Sequence, residues 1–318
     1  MLAHLHAPLS ADIARARAKW GDHRLGIFLG TSNAGILQTE SADTIRRATG
    51  NLPPTYDFSR QHAYGGGLAL LRSLTGAAGP GWVNSAACAS AAKALASAHR
   101  LIEADVLDAA IVGGADTLCQ TTLRGFHGLG VLSAQKCQPF SAQRAGINLG
   151  EGGALFLLER QGNALGQLLA VGESCDAHHM SAPHPQGDGA FLAMERALQR
   201  AEVAPASIDH VNAHGTATRQ NDAAEALAIF RLLGPQVPVA STKGYTGHLL
   251  GAAAAIELAI SLHTLQTGLI PQTLGAIPVD PELQIAVTMT QAKREVRFLL
   301  SNSLGFGGNN ASILLGRA

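Results

Sequence analysis

Short apolar runs alternate along this chain with longer segments of helical periodicity, and this alternation limits the fold more than any other feature. The apolar runs that stand out are residues 25–29, 109–112, 154–158, 168–171 and 313–315. Short continuous runs are typical of strands buried on both faces of a sheet. Helical patterns separate them at residues 67–75, 88–104, 189–202, 222–232 and 249–266. The alternation predicts an α/β fold with helices on both sides of its sheets.

The chain has the pattern of two similar halves that meet near residues 162–167. In each half a strand leads through a loop into an Ala-rich helix, once around Cys88 and once over residues 246–257. We expect a first half of residues 1–165 and a second half of residues 166–318. Because no Pro- or Ser-rich linker separates them, the halves should share one core and form a functional site at their seam.

Composition excludes several kinds of function. The 318 residues are 47% hydrophobic and 14% charged, enough apolar sequence for a large core. Acidic and basic residues are equal at 23 each and aromatic residues make up 4%, so we expect no nucleic-acid partner. Charged residues interrupt the longest apolar helical segments, 86–102 and 249–265, so we expect no membrane span. With no signal-peptide pattern at the N-terminus, we expect a cytoplasmic protein.

Cys88 is the first candidate catalytic residue, because it lies where an apolar run turns into an Ala-rich helix. A helix N-terminus favours the thiolate form of a nearby cysteine and so favours nucleophilicity. The alternative is an inert buried thiol, the commoner role of a free cysteine. The cysteines lie at positions 88, 119, 137 and 175, without a CxxC pair or a metal-ligand spacing to histidine. We therefore expect free thiols and no metal ion.

Three loop segments strengthen the catalytic interpretation of the cysteine. Residues 212–218 (NAHGTAT) and 241–248 (STKGYTGH) each follow an apolar run and precede a helical pattern. Residues 299–309 (LLSNSLGFGGN) form a glycine-rich segment in which the backbone can approach a ligand closely. Cysteine, histidine and lysine on loops between buried elements indicate acyl-transfer chemistry. The alternative is a pair of doubly wound domains whose histidines are satisfied core residues.

Four of these segments resemble motifs of the β-ketoacyl-acyl carrier protein synthases, condensing enzymes of the thiolase superfamily. The matching segments are residues 85–90 (SAACAS), 214–218 (HGTAT), 242–248 (TKGYTGH) and 305–308 (GFGG). The resemblance implies a thiolase-like α/β fold, with two pseudo-duplicated halves in a layered α-β-α-β-α arrangement. Family members usually begin with a strand and helices ahead of the segment that resembles residues 26–31. The resemblance therefore predicts a first half without its N-terminal strand and helices, and we expect that strand to be missing from the sheet interior.

The resemblance assigns the chemistry to a Cys-His-His set. Cys88 would carry the acyl chain as a thioester, while His214 and His248 would flank a malonyl thioester. Decarboxylation of malonyl produces an enolate, whose oxygen needs preorganised hydrogen-bond donors such as imidazole N–H groups. By the same resemblance, the backbone amides of Cys88 and Phe306 would form the oxyanion hole for the acyl thioester.

Five further residues receive supporting roles by resemblance. Lys243 would orient the loop that carries the second histidine, although a solvated surface lysine is the alternative. Glu257 has mainly apolar neighbours in its helical segment, and a buried acid needs a hydrogen-bonding or charged partner. By resemblance it would join the active-site hydrogen-bond network near Lys243. Thr216 and Thr218 would hold the phosphopantetheine arm. Phe306 would act as a gate between the acyl pocket and the malonyl site.

The Cys-His-His pattern implies an elongating enzyme that condenses an acyl group with malonyl-acyl carrier protein, in fatty-acid or aryl-polyene/polyketide biosynthesis. Residues 171–187 and 307–317 look most like ketosynthases of bacterial aryl-polyene clusters, which are similar to type II polyketide ketosynthases. We expect an acyl carrier protein as partner, no cofactor beyond its phosphopantetheine, and either a homodimer or a heterodimer with a chain-length-factor-like subunit. The alternative function is a non-catalytic chain-length factor. The shortened first half also predicts doubtful activity of the isolated chain.

Overall fold

The computed structural model describes residues 1–318. The first half contains α1 (Leu2–His6), α2 (Ser10–Trp20), β1 (Leu25–Gly30), α3 (Ile36–Thr49), α4 (Phe58–Gln61), α5 (Gly65–Thr75), β2 (Gly81–Asn84), α6 (Ser90–Glu103), β3 (Ala109–Asp116), α7 (Gln120–Gly128) and β4 (Gly152–Glu159). The second half contains β5 (Gln167–Cys175), α8 (Asp188–Arg200), β6 (His210–Asn212), α9 (Arg219–Leu233), β7 (Pro238–Ala240), α10 (Lys243–Thr246), α11 (Ala253–Thr267), β8 (Leu269–Ile270), β9 (Ala286–Val287), β10 (Ala292–Lys293), β11 (Phe298–Gly305) and β12 (Asn309–Gly316). The domain boundary predicted at 165/166 falls between β4 and β5.

Each half is built around a mixed sheet. The first-half sheet has the order β2-β1-β3-β4, with β4 antiparallel to β3 and the remaining pairs parallel. The second-half sheet has the order β5-β12-β11-β6-β7-β9, with β12 antiparallel to both of its neighbours. All the apolar runs predicted as strands lie in strands, and all the helical patterns lie in or overlap helices.

Two Ala-rich helices, α6 and α11, form the middle layer between the sheets. The largest core cluster joins these helices to Phe28 and Val112 of the first sheet and to Leu299 and Ile313 of the second. Separate clusters pack α2 and α5 on the outer face of the first sheet, and α8 and α9 on the outer face of the second. The layers therefore follow the α-β-α-β-α order of the thiolase-like fold, and the predicted shared core is present.

Small residues allow α6 to cross the first sheet directly. A Cβ atom added at Gly30, the last residue of β1, would lie only 2.2 Å from the backbone nitrogen of Ala91. No neighbour can relieve such a clash, because the opposing atom belongs to the backbone of a buried helix. The close crossing holds the start of α6, and hence Cys88, against the ends of β1 and β2.

The sheets match strand for strand except at the two edges of the second one. By order and direction β2, β1, β3 and β4 correspond to β7, β6, β11 and β12, but no first-half strand corresponds to β5 at one edge or to β9 at the other. The expectation that the absent strand would be interior is wrong, because β5 lies at the edge of its sheet and pairs only with β12. Two helices also precede β1, and the four strands present remain paired in sequence across the sheet. None of the helices is both long and apolar enough to cross a membrane.

Candidate active site

Cys88 lies in a tight turn between β2 and α6. The preceding residue, Ala87, adopts a left-handed conformation with φ of +48°, which is uncommon for a residue with a side chain. The Ser90 hydroxyl holds the turn, because it accepts a hydrogen bond from the Ala86 amide at 2.9 Å and donates one to the Ala87 carbonyl at 2.6 Å. Cys88 is therefore fixed just ahead of the helix, with its side chain buried.

His248 comes from the second half and meets Cys88 across the seam. Its Nε2 atom lies 2.9 Å from the Cys88 sulfur. Residues of the first half hold its backbone, since the His248 amide donates to the Asn148 carbonyl at 2.7 Å and the Gly150 amide donates to the His248 carbonyl at 3.0 Å. Its Nδ1 atom is buried and makes no hydrogen bond to a protein group, so the Cys88 sulfur is the one polar partner of the ring.

His214 is oriented by a buried ion pair. Its ring lies edge-on to that of His248, with centroids 5.3 Å apart. The Lys243 ammonium lies 3.4 Å from His214 Nδ1 and 2.5 Å from a Glu257 carboxylate oxygen. An ammonium group can only donate, so Nδ1 must accept and the ring proton of neutral His214 is at Nε2. The alternative of a solvated surface lysine is wrong, because Lys243 and Glu257 are both buried.

Protonation at the site departs from one expectation. Burial raises the pKa of the Cys88 thiol to about 11, outweighing the opposing charge of Lys243 and the N–H groups of Phe306 and Cys88. Burial and the Lys243 ammonium hold the pKa values of His214 and His248 well below their ordinary value. The direction of the Cys88 shift is therefore opposite to the expected activation to a thiolate by the helix N-terminus. At these pKa values a neutral thiol lies beside a neutral imidazole.

The glycine-rich loop covers the nucleophile. Gly307 and Gly308 both have left-handed φ angles, +79° and +74°, and a Cβ atom at Gly308 would lie 2.9 Å from the Asp176 backbone. Phe306 is half-buried and stacks on Phe126 of α7, with ring centroids 5.6 Å apart. The backbone N–H groups of Phe306 and Cys88 both act to lower the pKa of the Cys88 thiol, so the two amides predicted to form an oxyanion hole lie close to the sulfur.

A narrow pocket with a volume of about 70 Å³ opens above these residues. Its lining includes Cys88, His214, His248 and Phe306, and also the predicted arm-binding residues Thr216 and Thr218. The two threonine hydroxyls lie 3.1 Å apart, and that of Thr218 also accepts a bond from the Asn221 amide at the start of α9. The structure thus gathers every residue predicted to touch substrate in one pocket.

Two buried acids that we did not predict hold the loop that carries His214. Glu225 accepts hydrogen bonds from the backbone amides of His214 and Gly215, both at 2.8 Å. One turn earlier on α9, Asp222 accepts from the Ala217 amide at 3.1 Å. Burial raises the pKa of Glu225 to about 7. Two acids three residues apart in an otherwise Ala-rich segment were the sequence signal for this role.

Asp116, at the end of β3, joins the two halves behind the site. Its carboxylate accepts hydrogen bonds from the Ser32 amide at 3.0 Å and from the Gly251 amide at 2.7 Å, and also from the Thr31 hydroxyl. Gly251 lies three residues after His248, so the first half fixes the chain on both sides of that histidine. The sequence pattern gave no indication of this role, because any acid at the end of a strand would look the same.

A larger cavity of about 640 Å³ lies elsewhere in the first half. It is lined by residues of β1, α1 and α5, together with Tyr64 and Asp116, and contains none of the Cys-His-His side chains. Volume alone does not identify a reactive site, whereas convergent polar groups with shifted pKa values do. We therefore take the smaller pocket as the candidate active site.

Comparisons with known proteins agree with this geometry. Residues 9–164 match the β-ketoacyl synthase N-terminal domain, and residues 165–276 match the β-ketoacyl synthase C-terminal domain. The chain is 33% identical to 3-oxoacyl-[acyl-carrier-protein] synthase 2 of Rhizobium meliloti, over 98% of this chain and 80% of that protein. It is 38% identical to the enzyme of the same name from Mycobacterium tuberculosis over 73% of this chain, an alignment that spans only 60% of the mycobacterial protein.

Solved structures give the same result. The ketosynthase ApeO of Xenorhabdus doucetiae, determined in complex with its chain length factor ApeC, superposes with a TM-score of 0.92 and 37% identity. That match covers all of this chain and 80% of the other. The ishigamide ketosynthase/chain length factor superposes with a TM-score of 0.88 at 28% identity, covering 95% of this chain and 77% of that one. With both family domains matched in order along it, the chain belongs to the β-ketoacyl synthase family.

Proposed function

We propose that this chain catalyses a decarboxylative Claisen condensation between an acyl group on Cys88 and malonyl-acyl carrier protein, giving a 3-oxoacyl-acyl carrier protein. One observation carries the proposal. A thiol and two neutral imidazoles, from Cys88, His214 and His248, have their reactive atoms within 4.8 Å of one another in a buried pocket. Such a set supplies both a nucleophile and two hydrogen-bond donors for a developing oxyanion.

The first half-reaction loads the acyl chain. The Cys88 thiol attacks the thioester carbonyl of an acyl carrier protein and gives its proton to His248 Nε2, which lies 2.9 Å from the sulfur. The carrier's phosphopantetheine thiolate leaves and takes up that proton, so His248 returns to its neutral form. Backbone N–H groups of Cys88 and Phe306 stabilise the tetrahedral oxyanion.

The second half-reaction forms the carbon–carbon bond. Malonyl loses carbon dioxide, and the enolate oxygen accepts hydrogen bonds from His214 and His248. The Lys243 ammonium keeps Nδ1 of His214 as an acceptor, so the ring proton remains at Nε2 for donation. The enolate carbon attacks the Cys88 thioester, and the released Cys88 thiolate takes a proton from His248, which recovers one from solvent. No metal ion or further cofactor enters either step.

Supporting residues complete the proposal. Thr216 and Thr218 border the pocket and offer hydroxyls to the amide groups of a phosphopantetheine arm. Phe306, on its glycine-rich loop, separates the acyl side of the pocket from the malonyl side. Glu257 keeps the Lys243 charge compensated, because burying an unpaired ammonium would be costly.

We further infer that the partner is an acyl carrier protein and that the chain forms a dimer, either with itself or with a chain-length-factor-like subunit. Similarity to two ketosynthases that were solved with chain length factors supports the second arrangement. The resemblance of residues 171–187 and 307–317 to aryl-polyene ketosynthases favours a polyketide or aryl-polyene product over a fatty acid. All four cysteines are free thiols, which suits a reducing compartment such as the cytoplasm.

The second candidate function is that of a non-catalytic chain-length factor. The complete Cys-His-His set argues against it, because a protein that only shapes a partner's tunnel needs neither the thiol nor its Nε2 neighbour. Intact-mass measurement after incubation with acyl-acyl carrier protein distinguishes the two functions. We expect one acyl group per chain in the wild type and in Cys175→Ser, and none in Cys88→Ala. An unacylated wild type in the presence of its partner subunit would support the chain-length factor instead.

A further inference from the structure

Helix α7 forms one wall of the candidate active site, but it is weakly held in place. Phe126 on this helix and Val131 just after it line the pocket, and the Phe126 ring stacks on Phe306. None of the nine residues of α7 is buried. The helix includes Gly125 and Gly128, which have open space around them and weaken it. A helix this short and exposed depends on its neighbours for its position.

A carboxylate from another helix holds the start of α7. Glu40 of α3 accepts hydrogen bonds from the backbone amides of Gln120 at 2.9 Å and Thr121 at 2.6 Å, and from the Thr121 hydroxyl at 2.6 Å. The first N–H groups of a helix have no partner within it, and Cys119, the residue before α7, makes no capping bond. Burial opposes ionisation, but the bonds from Thr121 and Gln120 and the Arg124 charge outweigh it and lower the pKa of Glu40. An ionised acceptor at a helix N-terminus is a strong anchor.

The size of the pocket requires one of its walls to move when an acyl chain is loaded. Its volume of about 70 Å³ is well below the roughly 300–1,000 Å³ of pockets that enclose a small-molecule ligand. Ile147 and Leu304 on other walls are buried, and buried residues also anchor α9, the other helix that borders the pocket. The parts free to give way are therefore the glycine-rich loop of Phe306 and α7.

We propose that Glu40 is a positioning residue for acyl selection. By fixing the first turn of α7, it limits how far Phe126 moves away from Phe306, and so limits the length of the acyl group that Cys88 accepts. Glu40 does not line the pocket and acts only through the helix. The anchoring of α7 rests on the geometry alone, whereas the effect on acyl length rests on the proposed function.

Acyl loading of a Glu40→Gln variant tests the proposal. Glutamine has the same size, but it replaces one acceptor oxygen by a group that donates, which leaves an N–H of α7 without its partner. Loading rates with hexanoyl- and dodecanoyl-acyl carrier protein are measured by intact mass. We expect the dodecanoyl-to-hexanoyl ratio to rise at least about fivefold over that of the wild type, because the released wall admits the longer chain.

The matched control is Glu159→Gln. Glu159 of β4 also joins two elements through its carboxylate, at Arg15 and Trp20 of α2, and it lies outside the pocket. Losing a carboxylate of merely structural role should lower the melting temperature and leave the ratio unchanged. An unchanged ratio in Glu40→Gln, or an equal rise in Glu159→Gln, would overturn the proposal.

A double variant tests whether Glu40 acts through Phe126. In a Phe126→Ala background the ring is absent, so adding Glu40→Gln should change the ratio by less than about twofold. A full further rise would show that the effect reaches Cys88 by another route and would contradict the assignment. Thr121→Val removes one of the three bonds from the helix side and should shift the ratio in the same direction by less. If Glu40→Gln fails to fold, Thr121→Val takes its place, and an unchanged ratio then counts against the proposal.

Amide hydrogen exchange measures the anchoring without any substrate. Peptides from residues 118–128 should exchange at least about tenfold faster in Glu40→Gln than in the wild type, while peptides from α6 stay unchanged. Equal exchange in α7 would refute the anchoring. A wild type that takes up no acyl group would refute the proposed function and the role in acyl selection with it, whereas exchange in α7 would still decide the anchoring.

Discussion

The two halves use the same strand–loop–helix unit to place different side chains of one buried site. In the first half, β2 leads into α6 and presents Cys88; in the second, the corresponding β7 leads toward α11 and presents His248. The next strand inward, β6, delivers His214, whereas its counterpart β1 delivers the polar segment 31–33, which binds Asp116. The two halves thus place a thiol and an imidazole at the ends of corresponding strands, and the proposed mechanism uses the first as nucleophile and the second as base and donor.

The halves also differ in how completely their sheets are enclosed. Strand β12 is paired on both sides, and all but the first of its residues are buried. Its counterpart β4 pairs only with β3, and only Leu155 is fully buried in it. The catalytic seam nevertheless depends on elements other than the open edge. We infer that catalysis at the seam and protection of the β4 edge are independent properties of this molecule. A change at the seam should affect catalysis alone, and amide exchange in β4 should report on the edge alone.

Removing the nucleophile should have the largest effect. We expect Cys88→Ala to lower condensation more than about a hundredfold, since no other group in the pocket can form the acyl thioester. The fold should survive, because an alanine fits a turn already held by Ser90. Product formation followed by mass spectrometry checks this, with circular dichroism as the folding control. Retention of more than about one-hundredth of the wild-type rate would remove Cys88 from the mechanism.

Changes at the second-half histidines should separate the half-reactions. His214→Ala and His248→Ala should each lower malonyl decarboxylation by about 10²–10³, the usual cost of losing one oxyanion donor. Some acyl loading of Cys88 should remain, and more of it in His214→Ala, because His248 is the neighbour of the sulfur. Carbon dioxide release and intact mass measure the two steps. Normal decarboxylation together with failed loading would reverse the roles assigned to the halves.

The resting thiol should be slow to alkylate at neutral pH. With a pKa of about 11, Cys88 is protonated at pH 7, and its rate with iodoacetamide should rise about tenfold per pH unit up to pH 10. Exposed Cys175 supplies the internal reference for access by the reagent. Peptide mapping over a pH series gives both rates. A rate at Cys88 that is already maximal at pH 7 would mean that the helix terminus does stabilise the thiolate.

Amide hydrogen exchange should reveal the difference between the two sheet edges. We expect the β4 amides that face away from β3 to exchange at least about tenfold faster than the amides of β12, because they have no strand partner. Exchange followed by mass spectrometry on matched peptides from the two strands measures this ratio. Equal protection would show that another part of the molecule, or a second copy, covers the β4 edge.

The smallest effect is expected at the gate. Phe306→Ala should shift the preferred acyl length or the order of loading by a few-fold, while lowering the melting temperature by no more than about 4 °C. Its ring is half-buried and rests on Phe126 rather than in a core cluster. Competition among acyl-carrier substrates gives the length profile. An unchanged profile with a large loss of melting temperature would make Phe306 an ordinary packing residue.

The sequence predicted the alternating strands and helices because these leave local patterns, whereas the order of the layers and the residues of the site came from the resemblance to a known family. Continuous apolar runs marked β1, β3, β4, β5 and β12, and motif spacing marked the cysteine and both histidines. The position of the absent first-half strand was predicted wrongly, because strand order depends on pairing between segments that are distant in sequence. A local apolar run does not show which strands it pairs with. The direction of the Cys88 pKa shift was mistaken for a related reason. A helix terminus is visible in sequence, whereas the burial that outweighs it depends on Phe306 and the second half packing above the thiol.

The supporting acids escaped prediction because their partners are backbone amides. Glu225 and Asp222 bind N–H groups of the His214 loop, and Asp116 binds those of Ser32 and Gly251. Because residues of almost any type can supply a backbone amide, the sequence does not show which amide an acid will bind. Only the presence of acids in an apolar helix gave any indication, and that signal was used for Glu257 alone.

The most direct test of the account follows both half-reactions in the same three proteins. Wild type, Cys88→Ala and His214→Ala are each incubated with acyl-acyl carrier protein for intact mass, and separately with malonyl-acyl carrier protein for carbon dioxide release. The account predicts that Cys88→Ala loses loading but still decarboxylates, and that His214→Ala still loads but loses about 10²–10³ in decarboxylation. Loss of both steps in both variants would contradict the division of labour between the halves.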